Sequence, residues 1–410
     1  MPTFSEKPRI LIHDYSGHAF TIQLARWLAR RGVEAHYWFS RDIGSPKGTL
    51  QLQPNDPSAL SIRAVDGGGE VKKYAPLMRL KQELAYAGTL AAHARELAPT
   101  VTLSNAPPHI QAKLRKAVQE RGRFVFWMQD IYSLALHQLL IRNSPLLATP
   151  MMPLARNYEN AELRKSDAVI CIAESFRTYC ERFGVGRDRC LVIENWAALE
   201  DLPVYSKDNS WSRARRLENK FVFLFSGTLG LKHNPEIFVS LAKSLRESPR
   251  AACVVVSEGA GRDFLERRKQ ALNLSNLYLY DYQQHHDFPK LLASGDVLIA
   301  ILEPFASELS VPSKVLAYFC AGRPLLAAIP ERNHAAQLIH ISGGGLLVPP
   351  GDSNSFLCAA HKLMNDGLAR QRYGQAARDF AEKTFDIERI GRCFLSAFDG
   401  LPPMVKKIEL

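Results

Sequence analysis

The stretch Glu303–Ala328, EPFASELSVPSKVLAYFCAGRPLLAA, decides how this chain is read. It reads as loop, helix, turn and strand. Ser313 stands where an N-cap belongs and Gly322 where a C′ glycine belongs, and Val315, Leu316, Phe319 and Cys320 between them fall on one helical face. After the Gly322-Arg323-Pro324 stop, LLAA is a short buried strand. The head of a helix collects unpaired backbone N–H groups and the positive end of the peptide dipole, and here Ser313 and Lys314 stand beside it. Such a place can hold a diphosphate. Taken alone, PSK is more simply a capped core helix with a solvated lysine, so the rest of the chain has to decide.

The chain has 410 residues, 46% hydrophobic and 23% charged, which describes a globular protein of two to three domains rather than a disordered or fibrous one. No apolar run of about 18 residues predicts a membrane-spanning helix, and the polar start MPTFSEKPRILIHDY lacks a signal-peptide core, so a cytoplasmic protein is expected. Seven scattered cysteines without a CxxC pair predict reduced core thiols, with neither disulfide framework nor structural metal. The formal net charge of +11 calls for an anionic partner: nucleic acid, membrane surface or phosphorylated substrate. Basic and acidic residues are interspersed, and no zinc-finger spacing or aromatic-rich basic block occurs, which argues against nucleic acid.

From the N-terminus, Arg9–His13 is a strand, the turn DYSGHAF follows, and Ile22, Leu24, Ala25, Trp27 and Leu28 mark a helix that stops at Gly32 before a strand over 35–39. This is a βαβ unit whose turn holds a single glycine, Gly17, beside His18, so the dinucleotide fingerprint GxGxxG is absent. In open parallel sheets ligands collect at the carboxyl ends of strands, which makes 14–18 a candidate binding loop, with His18 either a ligand contact or a plain turn residue. Residues 41–75 read as a long loop, 77–97 as an amphipathic helix, 100–104 as a strand, 109–121 as a basic helix and 124–128 as another strand. Asp130, just past that strand, either faces the crevice or caps the next segment. Residues 133–155, apolar and broken by prolines, suit a lipid-touching surface, the lining of an acceptor site, or a buried helix pair. A helix, the strand 168–172, a helix capped by Ser175 and the strand 191–193 complete a doubly wound first half.

Residues 199–220 are polar and charged and read as a linker. A second alternation then starts at Phe221, and three turns in it fall at strand ends: Ser226-Gly227-Thr228-Leu229-Gly230 with Lys232, Glu258-Gly259-Ala260-Gly261, and Ser313-Lys314. Residues 361–383 read as helical and 385–398 as a final helix. Two βα-rich halves predict a cleft between facing strand ends.

The segments DYSGHAFTIQLARWLARRGVEAH, VIENWA, FLFSGTLGLKHN, VSEGAGRDFLE, DFPKLLASGDVLIAIL and VPSKVLAYFCAGRPLLA together resemble the retaining glycosyltransferases of family 4, which have the GT-B fold, in the exopolysaccharide and O-antigen (colanic-acid type) branch. The resemblance covers nearly the whole chain. It implies an α/β protein of two Rossmann-like domains: an acceptor-binding domain over 1–200, a nucleotide-sugar-binding domain over 201–384, and a helix over 385–410 crossing back to the first. It implies transfer of a hexosyl or N-acetylhexosaminyl group from a nucleotide-sugar donor, commonly UDP-linked in this branch, to a lipid-linked polyprenyl-pyrophosphate acceptor. The resemblance further implies retention, no obligatory metal, no cofactor besides the donor, and peripheral contact with the inner face of an anionic membrane. Carried over residue by residue, Gly17 matches the first-domain glycine loop, with His18 facing the acceptor. Lys232 falls near the donor-phosphate lysine, although Thr228 stands in the region of the arginine that often precedes it, and Ser313 and Lys314 match the PSK segment. Gly227, Gly259, Gly261 and Tyr282 line the donor side, and Asp130 joins His18, Lys232 and Lys314 as a catalytic candidate. The family's Glu-x7-Glu pattern is broken, because Ala317 holds the ribose-binding position and Glu308 lies one residue out of register. A nucleotide-sugar epimerase of the same architecture and a non-catalytic binding module are the alternatives.

Overall fold

The computed structural model describes residues 8–43, 48–69, 76–143, 145–230, 232–308 and 311–400. Two compact units are present, one formed by the chain up to Asn195 with the helix Ile387–Asp399, the other by Trp196–Asp386.

The first unit is built on seven parallel strands: β1 (Arg9–Asp14), β2 (Glu34–Ser40), β3 (Leu60–Val65), β4 (Val101–Asn105), β5 (Arg123–Met128), β6 (Ala168–Cys171) and β7 (Cys190–Val192), in the order β3-β2-β1-β4-β5-β6-β7. The second has six: β8 (Phe221–Ser226), β9 (Ala251–Val256), β10 (Leu277–Tyr280), β11 (Val297–Ile301), β12 (Leu325–Ala328) and β13 (Gly345–Val348), in the order β10-β9-β8-β11-β12-β13. Both are doubly wound, Rossmann-like α/β layers. Strands such as AACVVV and VLIAI are buried along their whole length, as a parallel sheet covered by helices on both faces requires. Strand order reverses between β1 and β4 in one sheet and between β8 and β11 in the other. The carboxyl ends at those two places are where such sheets bind ligands.

Several sequence expectations change. Residues 41–75 are not all loop, because Leu60–Val65 adds β3 to the edge of the first sheet with Leu60 opposite Ala35. Residues 44–47 and 70–75 of that stretch lie outside the described residues. The polar segment 199–220 is not a linker but a packed piece of the second unit. Asn209 accepts from Trp211 N and Ser212 N at 2.8 and 3.2 Å, donates to Lys290 O at 3.1 Å, and places Trp211 in the interior, 3% exposed. Ser175 caps nothing: the helix Glu174–Arg182 starts from Ala173 without a side-chain cap. The residues between β12 and 361 form a helix (His334–Ser342), β13 and the start of a helix over Ser353–Asn365. Asp366 then breaks the helical run and caps a separate helix, Gly367–Thr384, accepting from Ala369 N at 2.8 Å. Residues 132–165 form two helices, Tyr132–Asn143 and Pro145–Lys165. Among the described residues no helix is long and apolar enough to cross a membrane.

The helix Ile387–Asp399 packs into the first unit. A methyl group on Gly391 would lie 2.4 Å from the Trp27 ring, Phe394 meets Trp127 edge-on at 5.1 Å between centroids, and Glu388 pairs with Arg31.

Candidate active site

In the first unit the site starts at Asp14, the last residue of β1, fully buried at the strand-order reversal. Its carboxylate accepts hydrogen bonds from His18 N and Thr21 Oγ1 at 2.6 Å, Ser16 N and Tyr37 OH at 3.2 Å, and Asn105 Nδ2 at 3.3 Å. The His18 ring completes the set, with Nδ1 3.0 Å from Asp14. Burial alone would raise the Asp14 pKa; the His18 charge and these hydrogen bonds overcome it and hold the carboxyl far below its ordinary range. For His18 burial pulls the other way, yet Asp14 beside it and Asp130 further off raise its pKa above the ordinary imidazole value. Gly17 makes this turn possible: at φ +76° it bends the chain back so that its N–H donates to Asp14 O at 3.2 Å. With Nδ1 turned to Asp14, Nε2 is the ring nitrogen left for a ligand, and the side chain is 38% exposed.

Asp130 follows β5 and acts on the same imidazole. The cap expected of it belongs to Glu159, which accepts from Tyr132 N and Ser133 N at 2.8 and 3.1 Å. The turn therefore sets Gly17 and His18 on Asp14, with Asp130 near enough to act on the same imidazole.

In the second unit three turns meet at the reversal between β8 and β11. Gly227, at φ +141°, donates to Val256 O at 3.0 Å, and Leu229 N donates to Ser257 Oγ at 3.1 Å, which locks the first turn onto the second. Gly261 seals the contact, since a Cβ there would lie 2.4 Å from Leu229 O. Gly259, at φ +86°, starts the helix Ala260–Ala271. Thr228 and Tyr282 share a hydroxyl hydrogen bond of 2.6 Å. The third turn is held by Tyr318, whose hydroxyl accepts from Ser226 N at 2.9 Å and donates to Ser226 O at 3.0 Å. Lys232 joins through its carbonyl, which accepts from Glu303 N at 2.9 Å.

Lys314 reaches into this junction. Its Nζ lies 3.8 Å over the Phe225 ring, and a Cβ on Gly227 would stand 3.1 Å from it. The ammonium is out of contact with water, has no hydrogen-bond partner among the described residues, and titrates at about 7 because burial disfavours its charge. Beside it His233, not singled out by the sequence reading although it follows Lys232, has a buried Nδ1 without a hydrogen-bond partner. Burial first, then the charges of Lys314 and Lys232, lower the His233 pKa to about 3. A buried lysine and a neutral histidine beside the Gly227 turn, with a second lysine acting on the same imidazole, make this a place suited to an anion.

Two expected residues lie apart from this arrangement. Ser313 is exposed, has helical backbone angles and caps nothing, because the helix Lys314–Cys320 is only seven residues long and Ser313 already belongs to its first turn. Glu308 is 66% exposed and pairs with Arg332 at 3.5 Å, beside an open depression of about 550 Å³ formed by Pro304, Pro330, Glu331, Arg332 and Pro350.

Residues 17–196 match the family described as "Glycosyl transferase 4-like domain", and residues 207–380 match "Glycosyl transferases group 1". The chain is 24% identical over 250 residues to WcaI of Escherichia coli K12, named for colanic acid biosynthesis, and 22% identical over 249 residues to alpha-D-kanosaminyltransferase of Streptomyces kanamyceticus. These matches span 60% and 58% of this chain, and 60% and 62% of the length of those relatives. A crystal structure of HepE from Anabaena with UDP and glucose superposes with a TM-score of 0.69 at 16% identity, covering 95% of this chain and 98% of the other, and establishes likeness of fold. The first unit thus matches a glycosyl transferase 4-like domain and the second a group 1 domain, on the GT-B fold that its structural neighbours share.

Proposed function

We propose that this protein moves a sugar from a UDP-linked donor to a polyprenyl-pyrophosphate-linked acceptor during assembly of a bacterial surface polysaccharide, with retention at the anomeric carbon. The second unit takes the donor and the first the acceptor. The observation that carries the reading is the buried Lys314 ammonium, without a hydrogen-bond partner among the described residues, against the Gly227 turn, with His233 and Lys232 close by. Breaking the sugar–phosphate bond leaves growing negative charge on the diphosphate. Groups already fixed at that place stabilise the transition state without reorganising, and the two lysines would supply the positive charge in place of a metal. In a front-face displacement the departing phosphate oxygen takes the acceptor proton, so no carboxylate pair of the glycosidase kind is needed. His18, turned by Asp14, orients the acceptor hydroxyl, and Asp130 helps keep the imidazole charged to higher pH.

The relation to WcaI supports the polysaccharide role, and the UDP bound by HepE supports the donor base. Exposed Leu146, Met151, Leu154 and Tyr158 on the helix Pro145–Lys165 support contact with the lipid of the acceptor or its membrane. The test is incubation with a panel of UDP- and GDP-sugars and a polyprenyl-pyrophosphate sugar. A new glycolipid of retained configuration upholds the reading. Interconverted donor without glycolipid makes the protein an epimerase, and nucleotide binding without turnover makes it a binding module, in keeping with Ala317 at the ribose position.

A further inference from the structure

Cys171 ends β6, Cys190 begins β7, and Cys180 lies on the helix Glu174–Arg182 that packs against both strands. Register explains the meeting: Val169 pairs with Cys190, so Cys190 and Cys171 project from the same face of the sheet. All three side chains are buried, at 0 to 1% exposure, and their sulfurs lie within 4.8 Å of one another. Cys171 Sγ and Cys180 Sγ are 3.8 Å apart, and the Met128 thioether is 3.6 Å from Cys180 Sγ. These spacings of nine and ten residues carry no metal-binding pattern in the sequence, which had predicted isolated core thiols.

We propose that Cys171, Cys180 and Cys190, with Met128 beside them, form a binding site for a soft thiophilic cation, Cu(I) in the first place. A cation at an ordinary metal–thiolate distance of about 2.3 Å from three sulfurs sets those sulfurs about 4 Å apart, against 3.8 Å between Cys171 and Cys180 and no more than 4.8 Å for the other pairs. The thioether decides between metals: zinc completes its shell with thiolate, imidazole or carboxylate, whereas Cu(I) accepts thiolates and thioethers together. Charge is also provided for. Arg177 and Arg189 add positive charge near the Cys190 sulfur. Each thiol that binds the cation gives up its proton to solvent, and no electron changes hands when the metal arrives as Cu(I). Access runs through the edge of the sheet, where β7 is a three-residue strand with a neighbour on one side only. A bound cation would pin that strand and the helix Glu174–Arg182 to β5 and stabilise the first unit.

The test uses the full chain with Cys358→Ser and Cys393→Ser, which removes the two exposed thiols. Cu(I) is supplied anaerobically as a coloured bis-chelate, whose fading reads transfer to protein. One Cu(I) per chain, a higher melting temperature, loss of transfer in Cys180→Ala and retention in Cys253→Ala are expected. Full transfer in a folded Cys180→Ala protein would overturn the proposal. Should that variant fail to melt cooperatively, the folded background protein decides alone, because no stoichiometric transfer there, or transfer of Zn(II) with rejection of Cu(I), overturns it equally.

Discussion

Titrating the binding of UDP between pH 7 and pH 9 probes Lys314 directly. In the free protein its ammonium titrates at about 7, against an ordinary 10.5, because it is buried, and it has no hydrogen-bond partner among the described residues. A diphosphate at the Gly227 turn would supply the missing counter-charge and return the pKa toward its ordinary value, so binding takes up a proton above pH 7. About half of the molecules carry the charge at pH 7 and about one in a hundred at pH 9, so Kd rises about 50-fold, or about 2.3 kcal/mol. Neither partner confuses the window, since the terminal phosphate, with a pKa of about 6, is ionised throughout. His233, at about 3, starts neutral. Calorimetry in two buffers of different ionisation enthalpy reads both the Kd and the proton, with nearly one proton taken up per UDP at pH 8.5. A Kd constant within threefold from pH 7 to 9, or the same slope in Lys314→Met, would refute the reasoning.

Lys314→Ala and Lys232→Ala should each lower turnover tens- to hundreds-fold, about 2–3 kcal/mol of transition-state stabilisation, measured as glycolipid formed per enzyme. Lys314→Met should meanwhile raise the melting temperature. The fall from 10.5 to about 7 sets an upper limit of about 5 kcal/mol on the cost of the buried charge. That cost is full below pH 7 and disappears as pH rises toward 10.5, so the advantage of the variant should shrink across the same range. Asp14→Asn should lower the His18 pKa, read from the imidazole proton shifts in an NMR titration, because the neighbouring charge that raises it is gone. Gly261→Ala should cut kcat/KM for the donor about 10- to 100-fold with the fold retained, since its methyl would push the Leu229 backbone and displace the phosphate turn; unchanged kinetics would show that this turn does not hold the donor.

The alternation of buried strands and amphipathic helices is written in local periodicity, and so are the glycine turns at strand ends, because both follow from backbone sterics and side-chain spacing within a few residues. β3 escaped because a short edge strand after Pro- and Gly-rich loops has only one neighbour to shape its pattern. The segment 199–220 escaped because its order comes from Asn209 and Trp211 finding partners some 70 to 85 residues away, at Gln283, Lys290 and Ser294. At the site, the residue types were readable in PSK, SGTLGLKHN and DYSGH, whereas their electrical state was not. Only the folded chain sets Lys314 on Phe225 without a counter-ion among the described residues, pairs Asp14 with His18, gives the Tyr132 cap to Glu159 instead of Asp130, and gathers three cysteines from separate elements. Sequence by itself determined which residues could carry charge and where the chain would turn; tertiary structure decided which of them are stripped of water and partners, because desolvation and ion pairing depend on neighbours distant along the chain.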